Sequence, residues 1–255
     1  MLGTVPTPSL ASVRRHLLPV VALQAAWTRA TLTLAAPAAG PATGRAGEGA
    51  GPPLRLGVVG DSTAAGCGVP THEDGFAAWL ARELAERTGA PVTWETVGRL
   101  GATSRRIRHR LVPRLGTGLD VAVLLGGAND VLTRRGPEQW AENLGAMIAD
   151  LADRAERVVV VGIPPLATLP ALPAVLRRYL GLQAARMDEV ARGVCARPST
   201  TWVDSSDVPP PGFFSHDGFH PSSRGYRRWA SAVADHLVTR PNPRVPTQPG
   251  AVDAG

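Results

Sequence analysis

The chain has 255 residues, of which 44% are hydrophobic and 19% charged, so disorder along the whole chain is excluded and one large domain or two small ones are allowed. Its formal charge of +6 comes from arginine alone, because the sequence contains no lysine. Arginine stays protonated at every accessible pH, so the basic character needs no nucleic-acid partner, and we predict none.

Two cysteines, Cys67 and Cys195, are too few for a disulfide-stapled scaffold or a zinc site with four cysteine ligands. A single long-range disulfide between them stays open. We favour two small thiols in the core, because free cysteine is among the most often buried residue types.

The sequence of the first fifty residues does not predict a transmembrane helix. Arg14 and Arg15 precede an apolar run from Leu17 to Trp27, which is shorter than the roughly 20 residues that span a bilayer. A secretory signal, a helix lying on a membrane surface and a disordered leader all remain open. We predict a disordered or interfacial leader and linker over residues 1–53, with peripheral membrane contact through this segment. We expect a cytoplasmic protein, with membrane association or secretion as the alternatives.

From Leu54 onward, short β-rich runs alternate with helical patterns, which is typical of a parallel sheet covered by helices. Five strands are predicted, at residues 54–59, 92–97, 121–125, 158–163 and 200–203. Helices are predicted at residues 75–88, 104–115, 137–151, 176–194 and 226–237, with an irregular Pro-rich loop at 164–173. The pattern indicates one catalytic domain over residues 54–240 and a disordered tail over residues 241–255.

Active sites of such sheets lie at the carboxyl ends of the parallel strands, and polar residues concentrate there. The segments that follow the strands contain the candidates Ser62, Gly101 (with Gly98 nearby), Asn129, and Asp217 with His220.

Each of these residue types has a role in acyl transfer. A serine hydroxyl becomes a nucleophile when a base such as His220 takes its proton. A carboxylate such as Asp217 holds the imidazole in one tautomer, and fixed donors from Asn129 and the amides of Ser62 and Gly101 could stabilise the oxyanion.

Each signal alone has an ordinary structural interpretation. A Ser-Thr pair can cap a helix, the glycines can allow a turn, and Asn-Asp or Asp-Gly can form one. The joint occurrence of four such blocks at strand ends, in this order, favours a catalytic site.

The four blocks GDST (Ser62), GRLGAT (Gly101), GGAND (Asn129) and DGFHP (Asp217 and His220) resemble those of the SGNH hydrolases, or GDSL esterases and lipases. The resemblance covers roughly residues 54–238. It implies a flavodoxin-like three-layer α/β/α fold, here with a parallel five-stranded sheet, and cofactor-free serine-ester hydrolysis. It also implies the site roles given above. No metal is predicted, because no cluster of His, Cys and carboxylate residues has the spacing of metal ligands. Thr63 stands where the family name has leucine, which is not a catalytic position.

Other functions stay open at this point. The ordinary α/β-hydrolase alternative lacks its GxSxG motif, whereas a flavodoxin-like module that binds a flavin or nucleotide would leave His220 and Asn129 unexplained. Acyl transfer and carbohydrate O-deacetylation would use the same triad. The apolar loop at 164–173 favours small-molecule or lipid esters with acyl or aryl groups over sugars.

A cluster of six arginines lies between Arg99 and Arg114, without any acidic residue. We interpret it as a solvated helix face, with a surface for anionic lipids or substrates as the alternative.

Overall fold

A six-stranded sheet forms the centre of the computed structural model, which describes residues 17–49, 51–205, 207 and 209–238. The strands are β1 (Thr43–Ala46), β2 (Leu54–Gly60), β3 (Val92–Gly98), β4 (Leu119–Leu125), β5 (Ala155–Val161) and β6 (Thr200–Val203). They lie in the order β1-β3-β2-β4-β5-β6, and all are parallel except β1, which pairs antiparallel with β3. Every residue of the central strand β4 is buried, as expected of a parallel strand covered on both faces.

Helices cover both faces of this sheet. The helices are α1 (Leu18–Thr31), α2 (Phe76–Thr88), α3 (Ser104–Arg106), α4 (Ala128–Leu132), α5 (Pro137–Ala152), α6 (Ala174–Val194) and α7 (Ser223–Val238). The apolar stripes of α2 and α7 form one core with the sheet, and those of α5 and α6 form the other. This arrangement confirms the predicted three-layer α/β/α fold.

The prediction of a purely parallel, five-stranded sheet was wrong by one strand. Strand β1 lies within residues 35–53, which we predicted as a linker, and it covers the edge of β3. The pairing is made by backbone groups, and β1 has only one buried residue, Ala46, so no alternating apolar pattern marks it. At Gly44, a Cβ atom would come within 2.6 Å of the Trp94 ring, so the strand fits closely over that side chain.

Residues 18–31 form a helix that packs on the protein, so this part of the predicted leader is ordered. Val21 is buried in the core, and the side-chain oxygen of Gln24 accepts a hydrogen bond of 2.8 Å from the backbone N–H of Leu176 in the first turn of α6. None of the described helices combines the length and apolar content that crossing a bilayer requires.

The predicted helix at 104–115 is helical but irregular. The short helix α3 continues into a π-helical turn (Ile107–Leu111) and a 3-10 turn (Val112–Arg114). Pro113 has no backbone N–H, so a regular α-helix would lose a hydrogen bond there. Four of the arginines in this stretch (Arg105, Arg106, Arg110 and Arg114) are exposed, which fits the interpretation as a solvated face.

Cys67 and Cys195 are both free and buried, which confirms the interpretation as core thiols. The predicted tail at 241–255 lies outside the described residues.

Candidate active site

Ser62 lies in the tight turn that follows β2. The amide of Asp61 donates to the carbonyl of Leu125 on the neighbouring strand β4, and the amide of Cys67 donates to the carbonyl of Ser62. The Asp61 carboxylate accepts hydrogen bonds from the amide (3.0 Å) and hydroxyl (2.9 Å) of Thr63. These bonds hold the turn, so that Ser62 lines a cleft at the carboxyl end of the sheet.

Asp217 and His220 form a buried pair on the loop that precedes α7. The Nδ1 atom of His220 lies 2.6 Å from Oδ2 of Asp217, and the imidazole is 1% exposed. The other oxygen, Oδ1, accepts hydrogen bonds from Ser215 Oγ and from the amides of Phe219 and His220, each at 2.9 Å.

A further donor to Asp217 comes from the N-terminal segment: the amide of Ala35 lies 2.9 Å from Oδ2. Burial raises the pKa of the Asp217 carboxyl, but the hydrogen bonds from Ala35, His220 and Phe219 outweigh it and hold that pKa well below its usual range. Asp217 is therefore a carboxylate throughout the neutral range, and its charge is present beside His220.

The second nitrogen of His220, Nε2, has no hydrogen-bond partner among the described residues, although it is buried. His220 lines the same cleft as Ser62. The structure therefore brings the predicted serine, histidine and aspartate to one place, with the free imidazole nitrogen available to a hydroxyl or a reacting group.

The two glycines of the GRLGAT block have different environments. A Cβ atom on Gly98 would lie 2.0 Å from the amide nitrogen of Ala65, so Gly98 allows β3 to approach the Ser62 turn closely. Gly101 has a φ of +73° and open space where a Cβ atom would be. Among the described residues, the amides of Gly101 and Ser62 donate no hydrogen bond.

Asn129 and its neighbour Asp130 connect this glycine loop to the end of β4. The side-chain amide of Asn129 donates to the carbonyl of Ala102 at 3.1 Å, which leaves its second N–H available. The fully buried carboxylate of Asp130 accepts hydrogen bonds from the amide (2.8 Å) and hydroxyl (2.6 Å) of Ser104. These bonds fix the segments that carry Gly101 and Asn129 relative to each other.

Three contributors to the site were not recognised from the sequence. Asp61 and Asp130 lie inside the blocks identified above, next to Ser62 and Asn129. A carboxylate in that position could have been predicted to accept hydrogen bonds that hold the neighbouring site residue in place. Ala35 lies far from the blocks and contributes only a backbone N–H, so its side chain gives no signal.

The cleft is mainly apolar. Aliphatic and aromatic side chains from the 164–173 loop and the loop before α7 line it together with Ser62, namely Leu166, Leu169, Phe213, Phe214 and Phe219. Within the part of the chain that the structure describes, no three His, Cys, Asp or Glu side chains are grouped as metal ligands would be. Cofactor-free chemistry stays a prediction.

The chain is similar to known ester hydrolases over most of its length. The model of the GDSL-like lipase/acylhydrolase family matches residues 58–228. A GDSL-like esterase of Mycobacterium tuberculosis is 29% identical over 213 residues, which cover 77% of this chain and 68% of that protein.

Solved structures agree with this assignment. The chain in the crystal structure of TesA is 27% identical in sequence to this chain. The two superpose with a TM-score of 0.57 over 72% of this chain and 98% of the TesA chain. The inhibitor-bound aryl esterase of M. smegmatis is 20% identical in sequence to this chain. The match has a TM-score of 0.54 and covers 73% of this chain and 99% of the esterase chain, which shows a shared fold. By its family match, the curated relative and the fold, this chain belongs to the GDSL-like lipase/acylhydrolase family of carboxylic ester hydrolases.

Proposed function

We propose that the protein is a serine esterase that works through the triad Ser62, His220 and Asp217 and an acyl-enzyme intermediate. The observation that supports it best is the buried Asp217–His220 pair, because Nε2 of His220 has no partner among the described residues and both His220 and Ser62 line one cleft. A carboxylate on Nδ1 fixes the tautomer in which Nε2 is the base.

In the first half of this reaction, Oγ of Ser62 attacks the carbonyl carbon of the ester while Nε2 of His220 takes the hydroxyl proton. The carbonyl oxygen becomes an oxyanion, for which the amides of Ser62 and Gly101 and the free N–H of Asn129 are the nearby donors. Collapse of the tetrahedral intermediate breaks the ester C–O bond, and the departing alcohol takes the proton from His220.

In the second half, water attacks the acyl-enzyme. His220 now takes a proton from the water, the second tetrahedral intermediate collapses, and Ser62 recovers its proton as the carboxylic acid leaves. An acyl acceptor other than water would use the same intermediate.

The apolar wall of the cleft favours esters with an aliphatic acyl chain or an aryl group. Leu166, Leu169 and Phe219 offer apolar surface to such a group. Burying apolar surface contributes roughly 25 cal/mol per Å², so each added methylene that fits should strengthen binding.

A panel of p-nitrophenyl esters of increasing acyl length tests this function, with Ser62→Ala beside the wild type. We expect the wild type to hydrolyse them and Ser62→Ala to lose activity at least about 10³-fold while keeping its melting temperature, because the hydroxyl belongs to the chemistry and not to the core. Ser231→Ala on α7, whose side chain does not line the cleft, is the matched control. Labelling by a fluorophosphonate and digestion should place the adduct on Ser62.

Substantial hydrolysis by Ser62→Ala would end the serine-hydrolase proposal. Faster turnover of acetylated sugars than of any acyl or aryl ester would overturn the substrate preference but leave the mechanism intact.

A further inference from the structure

A groove of about 600 Å³ lies between α1, the loop after α4 and helix α6. Its floor is apolar, with Val21 and Ala25 from α1 facing Leu176 and Leu180 from α6. A volume of this size is typical of sites for small organic ligands. Phe219 lines both this groove and the Ser62 cleft, so the two are neighbours.

The charged side chains that line the groove are all arginines, and its other polar side chains are those of Thr28, Tyr179 and Gln183. The hydroxyl of Thr28 is buried and has no hydrogen-bond partner among the described residues. Arg29, Arg134 and Arg135 also line the groove, and no acidic side chain does. Of these arginines, Arg135 forms an ion pair with Asp130 at 3.3 Å.

Arg134 has an arginine side chain at a backbone position whose conformation favours glycine. Arg134 has a φ of +60°, in the left-handed region that glycine adopts without strain. An arginine here costs backbone energy that a glycine would not, and it places a cation at the mouth of the groove.

We propose that this groove binds a single-chain anionic amphiphile, with its alkyl chain along α1 and α6 and its anionic head against Arg29, Arg134 and Thr28. The outward side of α1 exposes Leu23 (72%) and Trp27 (56%), which fits a ligand taken from a lipid surface. The ligand would therefore be a free fatty acid, taken either from solution or from an anionic membrane.

Binding of decanoate and decanol to the full-length Ser62→Ala protein tests the proposal by calorimetry, because turnover is then absent. We expect decanoate to bind about tenfold more tightly than decanol, with an affinity that falls as salt is added. Arg134→Gly, which suits the backbone, and Arg29→Gln should each weaken decanoate several-fold and leave decanol unchanged. Arg186→Gln, on the exposed side of α6, is the control.

Equal affinity for the two probes, or no binding of either, would overturn the proposal. Cosedimentation with phosphatidylglycerol vesicles but not phosphatidylcholine vesicles would assign the membrane as the source, and decanoate binding without vesicle binding would assign solution as the source. The groove is tested by ligand binding and the triad by ester hydrolysis. Failure of one proposal can therefore be distinguished from failure of the other.

A second inference concerns the same N-terminal segment and rests on the proposed triad. The amide of Ala35 and Nδ1 of His220 donate to the same oxygen of Asp217, at 2.9 and 2.6 Å. Ala35 is 6% exposed and precedes the family match, which begins at residue 58. We infer that Ala35 is a positioning residue, which holds the carboxylate through its backbone N–H.

Ala35→Pro removes this N–H, and Ala36→Pro is the matched control on the next residue. We expect kcat to fall about tenfold with little change in KM. Ala36→Pro should keep the wild-type kcat and KM, so a loss in kcat alone that is confined to Ala35→Pro reports the missing donor to Asp217.

Lactic acid in place of Ala35, introduced by semisynthesis, replaces the N–H with an ester oxygen and keeps the shape if the proline variant does not fold. A folded variant with the wild-type kcat would overturn the inference. Loss of activity in Ser62→Ala tests the triad separately.

Discussion

Asp217 accepts five hydrogen bonds, so its carboxylate has one orientation and one charge state in the neutral range. Replacing it with asparagine keeps the shape but removes the charge and can invert the bond to His220. We expect Asp217→Asn to lose kcat by roughly 10²–10⁴ at neutral pH with little change in fold.

The measurement is kcat and KM for both proteins at neutral pH. A variant with the wild-type kcat would make Asp217 a turn residue only. Asp204 and Asp207, which also line the cleft, would then be the candidates for the orienting acid.

Asn129 has one N–H bound to Ala102 and one available. Asn129→Ala should therefore reduce kcat by roughly 10²–10³, the usual cost of one oxyanion donor, with a smaller change in KM. Steady-state kinetics check this. A change confined to KM would mean that Asn129 binds the substrate and takes no part in stabilising the transition state.

All five predicted site residues lie at the carboxyl edge of the sheet, because parallel strands bring the segments that follow them to one side. Their surroundings were less predictable. The burial of Asp130 and its bonds to Ser104 depend on how two loops pack, and no local pattern in the sequence records that contact.

At the scale of elements, helix α6 contains a carboxyl group in an unfavourable place. Burial, together with the nearby charge of Asp204, raises the pKa of Asp188 to about 7, although the amide of Ile163 donates to it and Arg192 is close. The folded state therefore binds this proton more tightly than the unfolded state. The resulting stability is full below about pH 4 and is lost as the pH rises to about 7.

Asp188→Asn should consequently raise the free energy of unfolding at pH 8 by about 1–2 kcal/mol and leave it nearly unchanged at pH 4. The asparagine oxygen can still accept from Ile163. Urea titrations at both pH values measure this, with Glu189→Gln, exposed on the same helix, as the control. An equal effect at both pH values would mean that packing, and not ionisation, is responsible.

Elements with a clear apolar period were predictable, and those without one were not. Helix α5 begins at Pro137 as expected, and its buried residues recur at helical spacing. Strand β1 forms through backbone pairing at an exposed edge, and α1 is apolar on both its packed and its outward sides. Periodicity alone could not assign either element.

For the molecule as a whole, the two buried thiols report unfolding. Burial, with the nearby charges of Asp61 and Asp217, raises the pKa of Cys67 to about 12, and burial raises that of Cys195 to about 12 despite Arg197. The thiolate fraction at pH 8 is then roughly 10³-fold lower than for an exposed cysteine. We expect a thiol reagent to leave the native protein unmodified over minutes and to titrate two thiols per chain in guanidinium. Rapid native modification of either cysteine would contradict the buried core described here.

The hydrogen bond from Ala35 to Asp217 joins residues 182 positions apart in the chain. During synthesis, residue 35 leaves the ribosome long before residue 217 exists, so the carboxylate and its partner cannot meet until residue 217 has been added and has emerged. Contacts of this sequence separation also form late in refolding, because closing so long a loop costs entropy first. A nascent chain without residue 217 would thus have no esterase activity, and ester hydrolysis would be among the last native properties to return after dilution from denaturant.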